Sequence, residues 1–402
     1  MTNLLDTDPV PPSPTTGDPP GILLYPRLRT SPYFWSSRAH GVALYSVYNH
    51  TYHPRHYGDP LAEYHALCNG VTLWDVGVER QLEISGRQAF DFTNFLVPRD
   101  LTKCAVGQCK YVFLTAPDGG IVNDPVLLRI EEQRFWLSLA DSDVRLWALA
   151  LAHAGGWDVE IREVDVAPVQ VQGPRSKAVM TDLFGDDVLT IPYYGLRNYT
   201  LDGMDVVVSR TGYTAEIGYE IYLREASRNA AGLWNRVWEA GRPHGMRPIG
   251  PCHIRRIEGG MLAYGCDITL DTNPLEVGYD YRWMVDLDQD ADFVGKAALA
   301  RIRERGVTRR MVGCEISGER LGTFNDGSMI EPFGVARDGA DVGRVTSACW
   351  SPRLERNIGL AMVPIALAEP GTELEVRTPQ GPRHAVVVPK PFVDPRKETP
   401  KG

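Results

Sequence analysis

The sequence lacks any block of basic residues and any long apolar run, and each absence excludes a class of function. Its 402 residues include 42 Lys and Arg against 51 Asp and Glu, which gives a net charge of −9. Because nucleic-acid grooves are bound by clustered cations, we expect no nucleic-acid partner. A membrane-spanning helix needs about 18 or more successive apolar residues. The sequence contains no such run, so we expect no membrane span.

The N-terminus and the cysteines favour a cytoplasmic location. The first basic residue is Arg27, so the charged start of a secretory signal peptide is missing. The seven cysteines are odd in number, scattered along the chain and never spaced as C-x-x-C. They are therefore expected to be reduced thiols, and zinc is not expected.

Several motifs of common enzyme classes are also missing. The sequence contains no G-x-G-x-x-G, no G-x-x-x-x-G-K-[ST], no G-x-S-x-G and no H-E-x-x-H. These absences weigh against dinucleotide, P-loop, hydrolase and zinc-protease chemistry. His50, His53 and His56 would share one face of a helix, but Pro54 interrupts the run. We therefore expect a loop there, and no metal.

The composition and the hydrophobic pattern of the sequence change along the chain, and these changes predict its domain organisation. The first 20 residues hold six prolines and few apolar side chains, which is typical of a disordered leader, here assigned to residues 1–23. We expect a first α+β subdomain at 24–160, a second at 161–300 and a C-terminal β-barrel domain at 301–395, with a tail at 396–402.

Short strands and amphipathic helices alternate in the first subdomain. Asp59 begins a predicted helix that ends at Gly70. Residues 111–130 form a predicted hairpin around a Pro-Asp-Gly-Gly turn. Ser142 is expected to cap a helix that runs to about His153.

One short pattern occurs twice. Residues 82–86 (LEISG) and 169–173 (VQVQG) each predict a strand and a glycine break, and a helix is expected to follow each. The copies are about 87 residues apart and favour two similar halves packed on each other. Chance similarity in a five-residue window is the alternative.

The second half of the chain predicts further strands and one strongly amphipathic helix. Residues 205–210 and 219–223 are predicted strands, and the spacing of Leu233, Trp234 and Val237 predicts a helix. Later strands are short and separated by Gly, Pro and Asp, which favours a small antiparallel sheet or barrel. These later strands are 311–316, 343–349, 358–363, 374–377 and 385–388.

Two acidic residues lie inside otherwise apolar predicted strands. Asp124 lies in the second strand of the hairpin, and Glu220 lies in the strand at 219–223. Carboxylates in such strands are uncommon unless they are paired or functional, and for Asp124 a structural cap is as good an explanation as catalysis. Together they suggest acceptors for a ligand rich in N–H donors, as a pterin is.

Aromatic residues are concentrated between residues 33 and 57, and tyrosines recur at 193, 194, 199 and 213. Aromatic faces attract a desolvated cation, so two or three of these rings are candidates for holding a methylated cation. Ordinary packing accounts for the others.

Several blocks together resemble the glycine-cleavage T-protein aminomethyltransferases. Residues 209–221 (SRTGYTAEIGYEI) are similar to the family segment S-R-T-G-Y-T-G-E-x-G-[FY]-E. Residues 256–267 resemble its R-x-E and Y-G-x-D block, residues 273–276 its T-P-x-E segment, and residues 343–359 its barrel signature. The resemblance implies an α+β fold in which two similar α/β subdomains and a C-terminal antiparallel β-barrel surround a tetrahydrofolate site.

Within that family the likeness is greater to the dimethylsulfoniopropionate demethylase branch, over residues 46–51, 73–81, 122–126 and 140–144. It implies that Asp124 faces the reactive N5/N10 edge of the folate as the catalytic residue. Asn123 stands where T-proteins proper tend to carry a second aspartate. The implied folate contacts are Glu220, Trp136, Asn123, Tyr111 and Arg256, and the implied substrate contacts are Tyr48, Tyr213 and Tyr194.

The implied activity is transfer of a methyl group from a small onium donor to N5 of tetrahydrofolate. Tyr213 stands where the sulfonium demethylases place a tryptophan, which leaves the donor open. The alternatives are an aminomethyltransferase, an O- or N-demethylase, a one-carbon transferase of specialised metabolism, and a non-catalytic folate-binding regulator. The oligomeric state and protein partners are also open.

Overall fold

The structure is a computed structural model that describes residues 27–322 and 332–402. The expected leader at 1–23 lies outside the described residues. The predicted fold class is confirmed, because mixed α/β sheets are followed by a closed six-stranded barrel.

The elements before residue 165 form two small sheets and one larger one. In chain order they are β1 (Arg29–Thr30), α1 (Phe34–Ala39), β2 (Leu44–Tyr48), β3 (Thr51–His56), α2 (Pro60–Asn69), β4 (Thr72–Asp75), β5 (Gln81–Ser85), α3 (Ala89–Leu96), β6 (Cys109–Tyr111), β7 (Leu114–Thr115), β8 (Ile121–Asn123), β9 (Val126–Glu131), β10 (Arg134–Ser138), α4 (Val144–Gly155) and β11 (Glu160–Glu163). The larger sheet has the order β11-β5-β10-β9-β6, and the small sheets are β1-β3-β2 and β7-β8.

The following elements build a second large sheet. They are β12 (Val166–Gln172), α5 (Ser176–Phe184), β13 (Leu196–Leu201), β14 (Met204–Ser209), β15 (Gly218–Arg224), α6 (Ala226–Gly241), β16 (Arg247–Pro248), α7 (His253–Glu258) and α8 (Lys296–Arg305). The sheet order is β13-β14-β15-β12-β4-β16. Helix α6 buries Leu233, Trp234 and Val237, as its spacing predicts.

The repeated pattern corresponds to the same structural corner in both sheets. Strand β5 turns into α3 at Gly86, and β12 turns into α5 at Gly173, with φ values of 118° and 115°. The neighbouring strands also follow one order, β5-β10-β9-β6 in one sheet and β12-β15-β14-β13 in the other. The two sheets meet through a buried cluster that includes Trp136 from β10 and Tyr222 from β15.

The C-terminal strands close into a barrel. They are β17 (Arg309–Ile316), β18 (Phe333–Arg337), β19 (Ala340–Ser351), β20 (Arg356–Pro364), β21 (Glu373–Thr378) and β22 (Gly381–Val388), and a short helix α9 (Glu398–Lys401) follows. The barrel order is β17-β20-β19-β18-β21-β22. All five predicted strands are present, and β18 is an additional one. Residues 396–402, expected as a tail, are held by the Arg210 guanidinium, which donates to the carbonyls of Pro400 and Lys401.

Three local expectations are wrong. The predicted hairpin at 111–130 is divided, because β8 ends at Asn123 and β9 begins at Val126. Pro125 has no N–H to continue the ladder, so Asp124 lies in a break between strands. The histidine run at 50–56 is not a loop, since His53 and His56 belong to β3.

The third correction concerns Ser142, which does not cap α4. The helix begins at Val144 after Asp143, which also makes no capping hydrogen bond. The Ser142 hydroxyl instead donates to the Val122 carbonyl, 2.7 Å away.

No helix in the described part of the chain combines the length and the apolar character needed to cross a bilayer.

The glycine corner of the second sheet generates a stability prediction. A Cβ on Gly173 would lie 2.6 Å from the Gly70 carbonyl oxygen and 2.7 Å from that of Leu67. Gly381 has a similar φ of 113° with open space around it. We expect Gly381→Ala to cost about 1 kcal/mol of unfolding free energy from backbone strain alone. Gly173→Ala should cost at least about 2–3 kcal/mol, because backbone must also move.

Urea denaturation of both variants measures this difference. Equal losses in the two variants would show that the close approach at Gly173 carries no free energy of its own.

Candidate functional site

Asp124 is the most distinctive carboxylate of the molecule. It lies in the break between β8 and β9, where its Oδ2 accepts a hydrogen bond of 2.9 Å from the Tyr111 hydroxyl. Its Oδ1 is buried and has no hydrogen-bond partner within the described residues. Burial raises the pKa of Asp124 to about 7, and the charge of Asp267 adds to the rise while the Tyr111 hydrogen bond opposes it. An acceptor oxygen is therefore available at a group that titrates near neutral pH.

Tyr111 is held by aromatic neighbours. Its ring lies 5.4 Å from Phe113 and 5.8 Å from Tyr279, measured between ring centroids. The Arg99 guanidinium donates to its backbone carbonyl over 3.0 Å. The Tyr111 hydroxyl is thus fixed as a donor to Asp124.

Glu220 is the second carboxylate, on β15 opposite Gln170 of β12. It accepts hydrogen bonds from Gln170 at 2.7 Å and from the Tyr222 hydroxyl at 2.8 Å, and it also accepts one from Thr211. Burial raises the pKa of Glu220 although each of these donors lowers it. Gln170 is buried too, and its Oε1 has no partner among the described residues.

Glu79 is a third carboxylate, which the sequence analysis did not single out. It accepts a hydrogen bond of 2.7 Å from the Ser138 hydroxyl. Burial, followed by the charges of Glu220 and Asp124, raises its pKa to about 8. The only sequence signal was its place in the block at 73–81 that resembles the demethylase branch.

Tyr48 and Tyr213 lie beside these carboxylates. Burial raises the pKa of Tyr48, and the next contributions come from the charges of Asp124 and Glu79. Asp124 also contributes to the raised pKa of Tyr213, after burial. The Tyr213 hydroxyl donates to the Leu262 carbonyl at 2.7 Å. Both phenols stay neutral at neutral pH, and the structure brings them together with Asp124.

Asn123 and Trp136 are occupied elsewhere. The Asn123 side chain is fully buried, donates to the Ala140 carbonyl and the Ser142 hydroxyl, and accepts from the Ala140 amide. Trp136 is 1% exposed and donates to Glu83 over 3.0 Å, with the Arg224 guanidinium over its ring. Their hydrogen bonds are therefore made with the 140–142 segment and with Glu83, although the Trp136 ring lies 6.5 Å from that of Tyr222, a donor to Glu220.

The side chains of Arg256 and Tyr194 interact with groups other than Asp124. The Arg256 guanidinium is buried in an ion pair of 2.5 Å with Asp267 and donates to Ser347 of the barrel at 2.6 Å. Tyr194 stacks edge-on against Tyr193 and lines a pocket together with Lys397 and Thr211. Within the described residues, neither Arg256 nor Tyr194 hydrogen-bonds to the Asp124 carboxylate.

The donor and acceptor pattern fits a reduced pterin. A pterin presents several N–H donors, and the site offers two buried acceptor atoms with no partner in the described residues, Oδ1 of Asp124 and Oε1 of Gln170. Glu220 and Glu79 add carboxylate acceptors. A metal site is not found among residues 27–322 and 332–402, where no three His, Cys, Asp or Glu side chains are suitably grouped.

Comparison with known proteins gives two family matches that together span most of the chain. Residues 35–289 match the GCVT N-terminal domain, and residues 309–394 match the glycine cleavage T-protein C-terminal barrel domain. A dimethylsulfoniopropionate demethylase, DmdA of Ruegeria pomeroyi, is 37% identical over 90% of this chain and 96% of its own length. An aminomethyltransferase of Symbiobacterium thermophilum is 35% identical over 84% of this chain and 90% of its own.

A solved structure shares the fold. The glycine cleavage system aminomethyltransferase T of Bartonella henselae superposes with a TM-score of 0.78, covering 91% of this chain and 98% of its own. At 22% identity this likeness concerns the fold alone.

The Tyr111–Asp124 hydrogen bond generates a prediction. Tyr111→Phe removes a donor that stabilises the ionised carboxylate, so the pKa of Asp124 should rise from about 7. A hydrogen bond of ordinary strength corresponds to about one pKa unit. Carbon NMR of labelled aspartate, assigned with Asp124→Asn, measures the shift.

Tyr199→Phe is the matched control, because it removes a similar 2.8 Å hydrogen bond to Asp187 at the surface. It should leave the Asp124 titration unchanged. An unchanged or lower pKa in Tyr111→Phe would contradict the assignment.

Proposed function

The chain belongs to the glycine-cleavage T-protein family of tetrahydrofolate-dependent enzymes, and we propose that it is a demethylase that transfers a methyl group from a small onium compound to the folate. The observation that carries this proposal is the buried Oδ1 of Asp124, which has no hydrogen-bond partner in the described part of the chain and lies near Tyr48 and Tyr213. It combines an acceptor for the folate with aromatic side chains for the donor.

The residues that would hold the folate carry hydrogen-bond acceptor oxygens. These oxygens belong to carboxylates or, for Gln170, to an amide with no partner among the described residues. Gln170, Glu220 and Glu79 would accept hydrogen bonds from the pterin N–H groups, and Asp124 would lie at the edge that carries N5. Bound tetrahydrofolate supplies the nucleophilic nitrogen that accepts the one-carbon unit.

Asp124 acts by its charge and its orientation. Once ionised it stabilises positive charge that develops near its free oxygen during methyl transfer, and it does so without reorganisation because Tyr111 already holds it. Its raised pKa keeps part of the population protonated at neutral pH. The ionised form is the active one in this mechanism.

The side chains that would contact the methyl donor favour an onium compound. A sulfonium or quaternary ammonium leaves as a neutral molecule, so its displacement needs alignment and exclusion of water more than a strong acid. Tyr48 and Tyr213 remain neutral and supply aromatic faces for the cation.

The second candidate is aminomethyl transfer, because relatives named aminomethyltransferase are more than 30% identical to this chain. Asn123 favours the demethylase instead. It stands where T-proteins proper tend to carry a second aspartate, and its side-chain amide donates hydrogen bonds to residues 140 and 142. O- or N-demethylation would use the same folate site. The mass of the product folate distinguishes a transferred methyl group from a methylene group.

We also propose that the protein acts in the cytoplasm. All seven cysteines are free thiols, which is the state that a reducing compartment maintains.

Asp124→Asn tests the catalytic role. The substitution keeps size and polarity but removes the charge, so kcat should fall by about 10²–10³-fold. Tetrahydrofolate affinity should change by less than about fivefold, because the amide oxygen still accepts a hydrogen bond. Single-turnover product analysis and calorimetry measure the two quantities.

Asp205→Asn, at an exposed carboxylate on β14, is the control and should retain wild-type turnover. Normal turnover in Asp124→Asn would exclude this role for Asp124.

The pH dependence follows from the same carboxylate. Because the active form is ionised and the pKa of Asp124 is about 7, kcat should rise as pH increases through about 7. The residual rate of Asp124→Asn should lack this rise. A wild-type rate that falls between pH 6 and 8 would have the wrong sign for this mechanism.

A further inference from the structure

The turn between strands β2 and β3 contains two residues with a left-handed backbone. Asn49 has a φ of 48° and His50 a φ of 57°, and the flanking residues Tyr48 and Thr51 pair across the strands. Positive φ at both central residues fits a type I′ turn, which favours asparagine at its first position. Asn49 is nevertheless only 1% exposed, whereas turn residues normally face solvent. The turn alone therefore does not explain why this side chain is buried.

The two amide groups of Asn49 connect the turn to other parts of the chain. Its side-chain Nδ2 donates to the Val78 carbonyl at 3.2 Å and to the Leu139 carbonyl at 3.1 Å. Its backbone N–H donates to Oδ1 of Asp141 at 2.8 Å. These three hydrogen bonds fix the place of the turn, and with it that of Tyr48, which directly precedes Asn49.

Glu79 is held by the same part of the chain, the 138–142 segment, which begins at the last residue of β10. The Ser138 hydroxyl donates to Glu79 at 2.7 Å and accepts from the Gln81 side-chain amide at 2.8 Å. Ser138 and Gln81 are cross-strand partners on β10 and β5, so the register of the sheet brings them together. The carbonyl of residue 78, next to Glu79, is one of the two that bind the Asn49 amide.

Asp124 is connected to the 138–142 segment through its neighbour Asn123. The Asn123 side chain accepts from the Ala140 backbone amide at 3.0 Å and donates to the Ala140 carbonyl at 2.9 Å. Its Nδ2 also donates to the Ser142 hydroxyl at 2.7 Å. Two buried asparagines, each adjacent in sequence to a residue of the proposed site, thus bind successive residues of one short segment.

Tyr48, Glu79 and Asp124 also share one electrostatic environment. Burial raises the pKa of Tyr48, and the next contributions come from the charges of Asp124 and Glu79, followed by those of Tyr213 and Asp141. The three groups come from three separate loops or strand ends. What their hydrogen bonds have in common is the 138–142 segment.

We propose that Asn49 is a positioning residue for methyl transfer, which acts through Tyr48 by fixing the β2–β3 turn to the 138–142 segment. The inference rests on the proposed function, in which Tyr48 faces the methyl donor and Asp124 the folate. Asn49 touches neither reactant and sets the separation between the aromatic ring and the carboxylate. A displacement of about 1 Å in such an arrangement costs about 100-fold in rate, so these hydrogen bonds control the rate without taking part in the chemistry.

Asn49→Gly tests this role. Glycine adopts a φ of 48° without strain, so the substitution keeps the turn and removes only the side-chain amide. The rate constant for methyl transfer should fall by about 10–100-fold, because Tyr48 is no longer held in place relative to Asp124. Tetrahydrofolate affinity should change by less than about threefold, since Gln170 and Glu220 lie on β12 and β15. Single-turnover methylation of the folate by trimethylsulfonium, and calorimetry with tetrahydrofolate, measure the two quantities.

Asn357→Gly is the matched control. Asn357 is also 1% exposed, and its side-chain amide donates to the carbonyls of Ile316, Gly318 and Glu319 in the barrel domain. Its removal should lower the free energy of unfolding, measured in urea, but leave the rate of methyl transfer in the folded protein unchanged. An equal loss of rate in both variants would show a general effect of lost packing and would overturn the positioning role.

Asp141 offers a second pair of variants that leaves Asn49 in place. Asp141→Ala removes the acceptor of the Asn49 backbone amide, so the rate should fall by about 3–10-fold, which corresponds to one hydrogen bond. Asp141→Asn keeps an acceptor oxygen and should restore most of the wild-type rate. Because Asp141 is exposed, both variants should fold even if Asn49→Gly does not.

Carbon NMR of labelled tyrosine measures the position of Tyr48 without any turnover. The Tyr48 phenol stays neutral near pH 7, so its Cζ signal, assigned with Tyr48→Phe, reports the charges around it. In the wild type the signal should shift as Asp124 and Glu79 ionise, with pKa values of about 7 and about 8. Because a field weakens with distance, Asn49→Gly or Asp141→Ala should reduce this shift by about half or more, and Asn357→Gly should not.

The two readouts separate this proposal from the proposed function. A Tyr48 signal that does not titrate in the wild type, or that titrates equally in Asn49→Gly and Asp141→Ala, overturns the positioning role even if methyl transfer stands. A reduced titration with an unchanged rate overturns it as well, because the displacement then has no consequence for transfer. If the wild type forms no methylated folate, the proposed function fails for this donor, and the NMR titration alone decides whether Asn49 sets the place of Tyr48.

Discussion

The ion pair between Arg256 and Asp267 is the interaction on which the arrangement of the site depends. Both residues are buried, and Asp267 also accepts from Thr346 and Ser347 of the barrel. A buried pair of this kind costs about 3–5 kcal/mol when one partner is removed, because the other charge is left uncompensated. The pair therefore fixes the 253–267 segment to the barrel. That segment supplies the Leu262 carbonyl that orients Tyr213.

The carboxylates Asp124, Glu220 and Glu79 form a second electrostatic group. Unlike Asp267, they have no arginine or lysine partner among the described residues. Burial, together with repulsion from Asp267, raises the pKa of Asp124 to about 7, and burial, together with repulsion from Glu220 and Asp124, raises that of Glu79 to about 8. The region thus holds fewer negative charges at neutral pH than its acidic residues suggest. A cationic donor entering it would favour ionisation of these groups, since an opposite charge nearby lowers the pKa of a carboxyl. In the proposed mechanism, binding of a cationic methyl donor and ionisation of Asp124 would therefore favour each other.

The sequence predicted those parts of the fold that depend on local patterns. Helix α6 follows from the spacing of its apolar residues, and the barrel strands follow from short apolar runs between turn residues. The interrupted hairpin was missed because the apolar residues on both sides of Asp124 suggested a continuous strand, although Pro125 gave the signal for a break.

The sequence named candidate site residues where a resemblance marked them one by one. It could not name the hydrogen-bond partners of those residues, because tertiary packing determines them. Asp124, Tyr48 and Tyr213, which the resemblance marked, are electrostatic neighbours in the structure. Glu79 was missed because nothing local distinguishes it from a surface glutamate. Asn123 and Arg256, whose place at the folate stays a prediction, form hydrogen bonds with other segments of the chain. Such long-range partners cannot be inferred from spacing.

The strand–glycine–helix pattern, which occurs at Gly86 and again at Gly173, makes individual residues of the two sheets equivalent in position. Glu83 and Gln170 occupy the same position of the repeated pattern, and their cross-strand partners are Trp136 and Glu220. Both pairs are hydrogen-bonded, but the carboxylate is on the first strand in one copy and on the second in the other. One carboxylate is compensated by Arg162, whereas the donors to the other, among residues 27–322 and 332–402, are neutral side chains. The two copies of the pattern therefore differ in electrostatics: the charge of Glu83 is balanced within the protein, and that of Glu220 is left to be balanced by a cationic or N–H-rich ligand in the proposed function.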